Sequence, residues 1–149
     1  MEKQEALNRL KSIEQETEKL RKIIEDADKP KNIMDRIKTY EDACNVLGLG
    51  CHKVWSDYDS VDEIAYKKLK VIIKVLNEGW IPDWKNSNEY KYYPWFEMTK
   101  KPGSGFLSSD SDGWRSLSSV SSRLAFKSRE LALYAGKQFE KIYYDYMVI

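Results

Sequence analysis

The chain has 149 residues, of which 42% are hydrophobic and 33% are charged, and its formal charge at pH 7 is +1. This length fits one ordinary domain with room for an appended element. A net charge near zero argues against a protein that binds extended nucleic acid, because neutralising its phosphates requires many cations. The beginning of the sequence is charged, and no apolar run is long enough to span a membrane. We therefore expect a cytoplasmic protein with no membrane partner.

The first 29 residues carry a heptad pattern. Apolar or small residues recur at alternating spacings of four and three, at Ala6, Leu10, Ile13, Thr17, Leu20, Ile24 and Ala27. This spacing is typical of the a and d positions of a coiled coil, and a lone helix with so narrow an apolar stripe is marginal in water. We predict an oligomerisation helix over 1–29 that ends at Pro30. Its contact residues with another copy would be Leu10, Ile13, Leu20 and Ile24. Packing against the rest of its own chain is the alternative.

Two further helices are predicted by their capping signals. Thr39 followed by Asp42, and Ser60 followed by Glu63, each resemble a capping box, in which N-cap and N3 groups satisfy each other's backbone. The second of these helices ends at Gly79. Four lysines share one side of it: Lys67, Lys68, Lys70 and Lys74. We interpret this side as solvated surface in preference to a phosphate-binding face.

The composition changes after residue 79. The sequence becomes rich in aromatic, Ser and Gly residues, which is typical of short strands and turns. We predict three antiparallel strands, near 90–98, 104–109 and 120–127. The turns are expected at 101–104 and 111–113. A helical period returns after Ser128, which is a predicted N-cap.

These elements predict an α+β fold. The N-terminal coiled-coil-like helix would form one part, over 1–29, and a small α+β domain would follow over 33–149. In that domain, helices would pack with a small three-stranded antiparallel sheet and a C-terminal helix.

Three motifs give the sequence a resemblance to a known group. They are Gly79-Trp80-Ile81-Pro82-Asp83-Trp84, Lys91-Tyr92-Tyr93 and Phe126-Lys127-Ser128-Arg129-Glu130-Leu131-Ala132. On these motifs the chain resembles a family of small uncharacterised proteins of phages and prophages in gut bacteria. The resemblance covers residues 39–147. It implies a mobile-element accessory protein in the cytoplasm of a bacterial host, and it brings no activity, cofactor or site residue with it.

Residues that could carry catalysis or hold a metal are few. The only histidine is His52, and any Ser-His-Asp or Cys-His arrangement would have to use it. We interpret it as a partly exposed residue beside two structural thiols, Cys44 and Cys51, whose spacing does not fit a zinc module. The stretch 110–113 resembles the start of a calcium loop but lacks the remaining ligands. We therefore predict no catalytic residue, no metal and no cofactor.

The predicted strand over 90–98 carries large rings on both faces, because neighbouring side chains of a strand point to opposite sides. One face should pack on the C-terminal helix, and the other presents Tyr93 and Trp95. Three explanations stay open for this second face: cover by the helix over 64–76, a dimer interface, or a stacking site for a base, nucleotide or sugar. The candidate binding residues are these rings and nearby cations: Trp80, Trp84, Lys91, Tyr93, Trp95, Trp114, Arg115 and Arg123.

Two functions are compatible with this sequence. The first is a non-enzymatic, oligomeric, phage-associated protein that binds and blocks a host protein, such as a defence protein. The second is a sponge-like binder of a small molecule, a nucleotide or single-stranded nucleic acid that uses the aromatic face. The near-zero net charge favours the first function, and a strongly basic pocket would favour the second.

Overall fold

Helix α1 spans Glu2–Asp28 in the computed structural model of the chain, which describes residues 2–28 and 32–149. Every side chain from residue 3 to residue 27 is exposed. The Thr17 hydroxyl donates to the backbone carbonyl of Ile13 at 2.7 Å. The helix predicted over 1–29 is therefore present in the described residues. Its predicted stop at Pro30 lies outside them.

Two compact units divide the chain, Met1–Asn32 and Ile33–Ile149. Every residue that is buried in the described part of the chain belongs to the second unit, so the hydrophobic core lies there. Within the same described ranges, no helix combines the length and the apolar character that a membrane crossing requires.

The second unit begins with α2 (Ile33–Arg36) and α3 (Tyr40–Leu47). The Thr39 N–H donates to the Asp42 carboxylate at 2.8 Å, and the Asp42 N–H donates to the Thr39 hydroxyl at 3.1 Å. Gly48 follows α3 with φ 64°, a left-handed conformation that glycine adopts without strain. The predicted capping box and C-terminal glycine of this helix are both confirmed.

Helix α4 spans Val61–Leu76 and starts at the predicted N-cap Ser60, whose N–H donates to the Glu63 carboxylate at 2.8 Å. Its buried face is aliphatic, from Ala65 to Leu76. The helix packs against α3 and against α6 (Glu140–Met147). This packing forms one half of the core.

A buried asparagine ties the end of α4 to a distant part of the chain. The Asn77 amide donates to the Ala125 carbonyl at 2.8 Å and accepts from the Lys127 N–H at 3.1 Å. Both functions of the side-chain amide are therefore satisfied, as burial requires. The contact is reinforced at the surface by an ion pair of 3.0 Å between Lys127 and Glu78.

Strands β1 (Lys91–Phe96) and β2 (Leu107–Trp114) form an antiparallel pair. The register places Lys91 opposite Trp114 and becomes irregular after Pro94. Proline has no N–H to give to a strand ladder, so the irregularity has a direct local cause.

The third strand of the small sheet is reduced to one bridge. Phe126 pairs antiparallel with Tyr92 through two backbone hydrogen bonds of 2.8 and 3.0 Å. Strand β1 therefore has an antiparallel neighbour on each side, and the predicted α+β class is confirmed. Part of the third predicted strand instead forms a 3₁₀ turn at Ser122–Leu124.

The second strand differs from the prediction in its position. The turn expected at 111–113 lies inside β2, and the two strands are connected by residues 97–106. A Cβ at Gly113 would lie 3.2 Å from Cδ1 of Tyr92, a tight contact that would require the ring to shift by a few tenths of an ångström. The Asp-Gly pair therefore marks a close approach of a ring to the backbone, and the prediction of a turn there was wrong.

Helix α5 (Arg129–Gln138) covers the two strands. It begins at the predicted N-cap Ser128, whose hydroxyl accepts from the Leu131 N–H at 3.2 Å. The helix lies close to the sheet at Gly136, where an added Cβ would lie 2.7 Å from Cβ of Pro94. One face of the sheet is thus sealed by α5.

Candidate binding site

A concave apolar surface lies between β1, residues 119–124 and α6. It encloses a cavity of about 260 Å³. Its lining is aromatic and aliphatic apart from one serine: Tyr93, Pro94, Trp95, Phe96, Met98, Ser119, Val120, Leu124, Tyr143, Tyr146 and Met147. We call this surface the Trp95 pocket. It is slightly smaller than the sites of drug-sized ligands, which are about 300–1,000 Å³.

The second face of β1 forms part of this pocket. Tyr93 is only 5% exposed, whereas Trp95 is 51% exposed, and their ring centroids are 6.2 Å apart. None of the described residues that line the pocket comes from α4. The second face of β1 is instead partly covered by α6 and the segment 119–124. The face is therefore neither sealed nor fully open.

Two tyrosine hydroxyls are buried beside the pocket. The hydroxyls of Tyr93 and Tyr143 make no hydrogen bond of normal geometry with the described residues. Burial raises the pKa of both, and the charge of Asp112 raises the pKa of Tyr93 further. Both phenols therefore stay neutral at neutral pH.

A second concave surface, which we call the Trp80 pocket, lies beside the C-terminal half of α4. Its volume is about 330 Å³. It is lined by three cations, one indole and small polar or aliphatic groups: Lys70, Ile73, Lys74, Asn77, Trp80, Ile81, Pro82, Ser122 and Arg123. No carboxylate belongs to this set of described residues. The pocket is therefore electropositive in a chain of almost no net charge.

Lys91, one of the candidate binding residues, does not face either pocket. Its side chain is 1% exposed. The ammonium donates to the carbonyls of Asp83, Asn86 and Glu89 at 2.5, 3.2 and 2.8 Å, and it pairs with the Glu89 carboxylate at 3.3 Å. All three of its donors are used within its own loop. In the structure Lys91 therefore organises the loop 83–89, and its role in binding stays a prediction.

Trp84 belongs to the same loop. The Lys91 ammonium lies 5.3 Å from the centroid of its ring, and its indole N–H donates to the Ser122 hydroxyl at 2.5 Å. This hydrogen bond connects the loop to a residue that lines the Trp80 pocket. Trp84 therefore helps to hold Ser122 in its position at the Trp80 pocket.

Trp114 and Arg115 form a separate surface at the end of β2. The Arg115 guanidinium lies 4.8 Å from the ring centroid of Tyr90 and donates to its hydroxyl at 3.0 Å. Trp114 is 40% exposed. The eight candidate binding residues are thus distributed over several places. Tyr93 and Trp95 share one pocket, and Trp80 and Arg123 share the other.

The residues considered for catalysis are His52, Cys44 and Cys51. His52 is exposed and makes an edge contact with the Trp55 ring at 5.9 Å. Cys44 is buried, and its thiol raises the pKa of Cys51 through a direct contact. A thiol with a raised pKa is a poorer nucleophile at neutral pH. Across residues 2–28 and 32–149 no group of three or more potential ligands is placed to hold a metal ion.

Several pocket residues were absent from the candidate set. Met98, Tyr143, Tyr146 and Met147 line the Trp95 pocket, and the last three come from α6. The aromatic residues of the C-terminal helix were visible in the sequence. Because they are distant from Trp95 along the chain, the sequence did not indicate that they line the same pocket. Lys70 was noticed as part of a lysine-rich helix face, and only folding places it near Trp80.

Comparison with known proteins gives no match, whether to a family model, to a curated protein or to a solved structure.

Proposed function

We propose that the chain is a non-enzymatic, oligomeric binding protein that seats an apolar side chain of a partner protein in the Trp95 pocket. The observation that carries this proposal is the half-exposed Trp95 indole at the mouth of an apolar cavity of about 260 Å³. When a partner covers such a ring, the burial stabilises the complex by about 25 cal/mol per Å² of buried apolar surface.

The composition of the pocket favours a protein partner. Trp, Tyr and Met are enriched in the centres of protein interfaces, and Trp and Tyr are among the residues that most often dominate binding energy. Met98 and Met147 are exposed beside Trp95. Their flexible thioether chains adapt to the shape of an inserted side chain.

The biological setting follows from the resemblance to phage and prophage proteins. On that basis the partner is a host protein in the bacterial cytoplasm, and binding would block it. A defence protein is the kind of target that an accessory phage protein has reason to block.

The test compares Trp95→Ala with His52→Ala as bait in host lysate. Both side chains are exposed rings, and His52 lies outside the Trp95 pocket. Circular dichroism first establishes that both variants are folded, and quantitative mass spectrometry then identifies what each retains. We expect Trp95→Ala to lose affinity for the captured protein by about 30-fold, as removal of about 2 kcal/mol from an interface centre implies.

The contrasting result would identify a different site. If His52→Ala loses the captured protein while Trp95→Ala keeps it at full affinity, the Trp95 pocket is not where the partner binds.

A second function, binding of a nucleotide or a short single strand, is favoured by the Trp80 pocket. Lys70, Lys74 and Arg123 can neutralise phosphate, and Trp80 offers a ring on which a base can stack. Such stacking is worth about 1–3 kcal/mol per base. In this case the chain would act as a sponge for its ligand.

Calorimetric titration with ATP and with a short single-stranded DNA tests this second function. Trp80→Ala and Arg123→Glu should each abolish the heat signal, while Lys85→Glu, which alters an exposed cation outside the pocket, should leave it unchanged. An absence of binding by the natural chain at low salt removes this candidate.

A further inference from the structure

We propose that α1 pairs with α1 of a second copy of this chain as a parallel, in-register coiled coil. The inference rests on the oligomer proposed above and assigns its geometry. It concerns α1 alone and is independent of which pocket binds a ligand.

The first argument is the exposure of the helix. Six large aliphatic side chains of α1 are exposed: Leu7, Leu10, Ile13, Leu20, Ile23 and Ile24. Four of them occupy the a and d positions, with Leu10 and Ile24 at a and Ile13 and Leu20 at d. A helix of 27 residues is about 40 Å long at 1.5 Å per residue, and pairing along this length would cover the stripe.

The second argument comes from the charges that flank the stripe. In this heptad frame Arg9 and Glu16 occupy g positions, and Glu14 and Arg21 occupy e positions. In a parallel pair each g residue faces the e residue about five positions later in the partner. Arg9 then faces the partner's Glu14, and Glu16 faces the partner's Arg21. Both contacts are attractive, and each occurs twice by symmetry.

An antiparallel pair of full overlap has the opposite electrostatics. In that arrangement e residues face e residues and g residues face g residues. Glu14 would lie near the partner's Glu14, and Glu16 near the partner's Glu16. Like charges at these positions oppose association, so the charge pattern favours parallel helices.

Thr17 is the one polar residue in the middle of the stripe, at an a position. Burial of an unsatisfied hydroxyl would be costly. Its hydroxyl already donates to the Ile13 carbonyl of the same helix at 2.7 Å. The side chain can therefore enter the interface with its donor satisfied and its methyl group toward the partner.

Disulfide cross-linking of introduced cysteines distinguishes the parallel from the antiparallel orientation. The variants Leu10→Cys and Leu20→Cys are mixed and oxidised, and the linked peptides are identified by mass spectrometry without reduction. Parallel pairing links each introduced cysteine to the same position of the partner. Antiparallel pairing links the cysteine of one variant to that of the other, because equal positions are then separated by about ten residues, or about 15 Å, beyond the reach of a disulfide. Ser12→Cys, on the outer side of the helix, is the control that should not link.

A charge exchange gives a second measurement that leaves the apolar stripe intact. Glu14→Arg places two arginines opposite each other in the parallel pair, and we expect its dissociation constant to rise about 5-fold. The double variant Arg9→Glu with Glu14→Arg should restore the original value. Links between the two different variants, or an unchanged constant for Glu14→Arg, would overturn the parallel geometry while leaving the oligomer intact. A monomeric natural chain in light scattering would overturn both.

Discussion

Among the single residues, Lys91 shows how a charge can organise a loop from the interior. Its ammonium bonds to three backbone carbonyls, and its side chain is almost completely buried. Lys91→Met keeps the length of the side chain and removes the donors. We expect the free energy of unfolding to fall by about 1–3 kcal/mol, because buried acceptors lose their partner. Urea denaturation measures this, with the exposed Lys85→Met as control; equal effects of both substitutions would contradict the structural role.

Glu89, in the same loop, should make the stability of the fold depend on pH. The Asp83 N–H donates to the Glu89 carboxylate at 2.8 Å, and this bond, together with the nearby Lys91, lowers the pKa of Glu89. A lowered pKa means that the ionised carboxylate stabilises the fold above its usual pKa of about 4.3, and that this contribution disappears as the pH falls through the lowered value. Glu89→Gln should therefore reduce the melting temperature at neutral pH, and the difference should narrow as the solution is acidified below the usual pKa. A difference that stays constant over this range would contradict the assignment.

Among the helices and strands, the contact between α5 and the sheet depends on the absence of a side chain. A Cβ on Gly136 would lie 2.7 Å from both Pro94 Cβ and Leu107 Cδ1. Gly136→Ala should lower the free energy of unfolding by about 1–3 kcal/mol through overpacking, although alanine favours helix by about 1 kcal/mol. Thermal unfolding of Gly136→Ala, Leu107→Ala and the double variant measures the coupling. A higher melting temperature for Gly136→Ala alone would show that α5 can move away without cost.

The helices and strands also show what local sequence can predict. The caps at Thr39, Ser60 and Ser128 were predicted because their partners lie within three residues along the chain. The turn at the Asp-Gly pair was wrongly predicted because Gly113 lies in a strand opposite Tyr92, which is distant along the chain and gives no local signal. The role of Lys91 was missed for a related reason: alternation along a strand assigns it a face but does not indicate the carbonyls that surround it.

For the chain as a whole, the buried residues of its described part all belong to Ile33–Ile149. We expect residues 33–149 to fold alone with an unchanged near-ultraviolet circular dichroism spectrum and to be monomeric, while the full chain associates. Sedimentation of both proteins measures this. A truncated protein that still associates would instead assign the interface to the aromatic surface of the second unit.

The sequence indicated which types of residue the candidate site contains, but not which of these residues lie together. The surplus of rings was visible in the sequence. The division of those rings between the Trp95 pocket and the Trp80 pocket was not, because it depends on where α6 and the 3₁₀ turn at Ser122–Leu124 meet the sheet. Such contacts between distant segments carry no local signal.

The half-exposed indole of Trp95 also makes the protein its own optical probe. Its emission in water lies at longer wavelength than that of a tryptophan in an apolar environment, so insertion of any apolar group beside it shifts the emission towards the blue. The difference spectrum between the natural chain and Trp95→Phe isolates this one fluorophore from the other tryptophans. Occupancy of the pocket can thus be followed in real time without a label, even before the occupant has been identified.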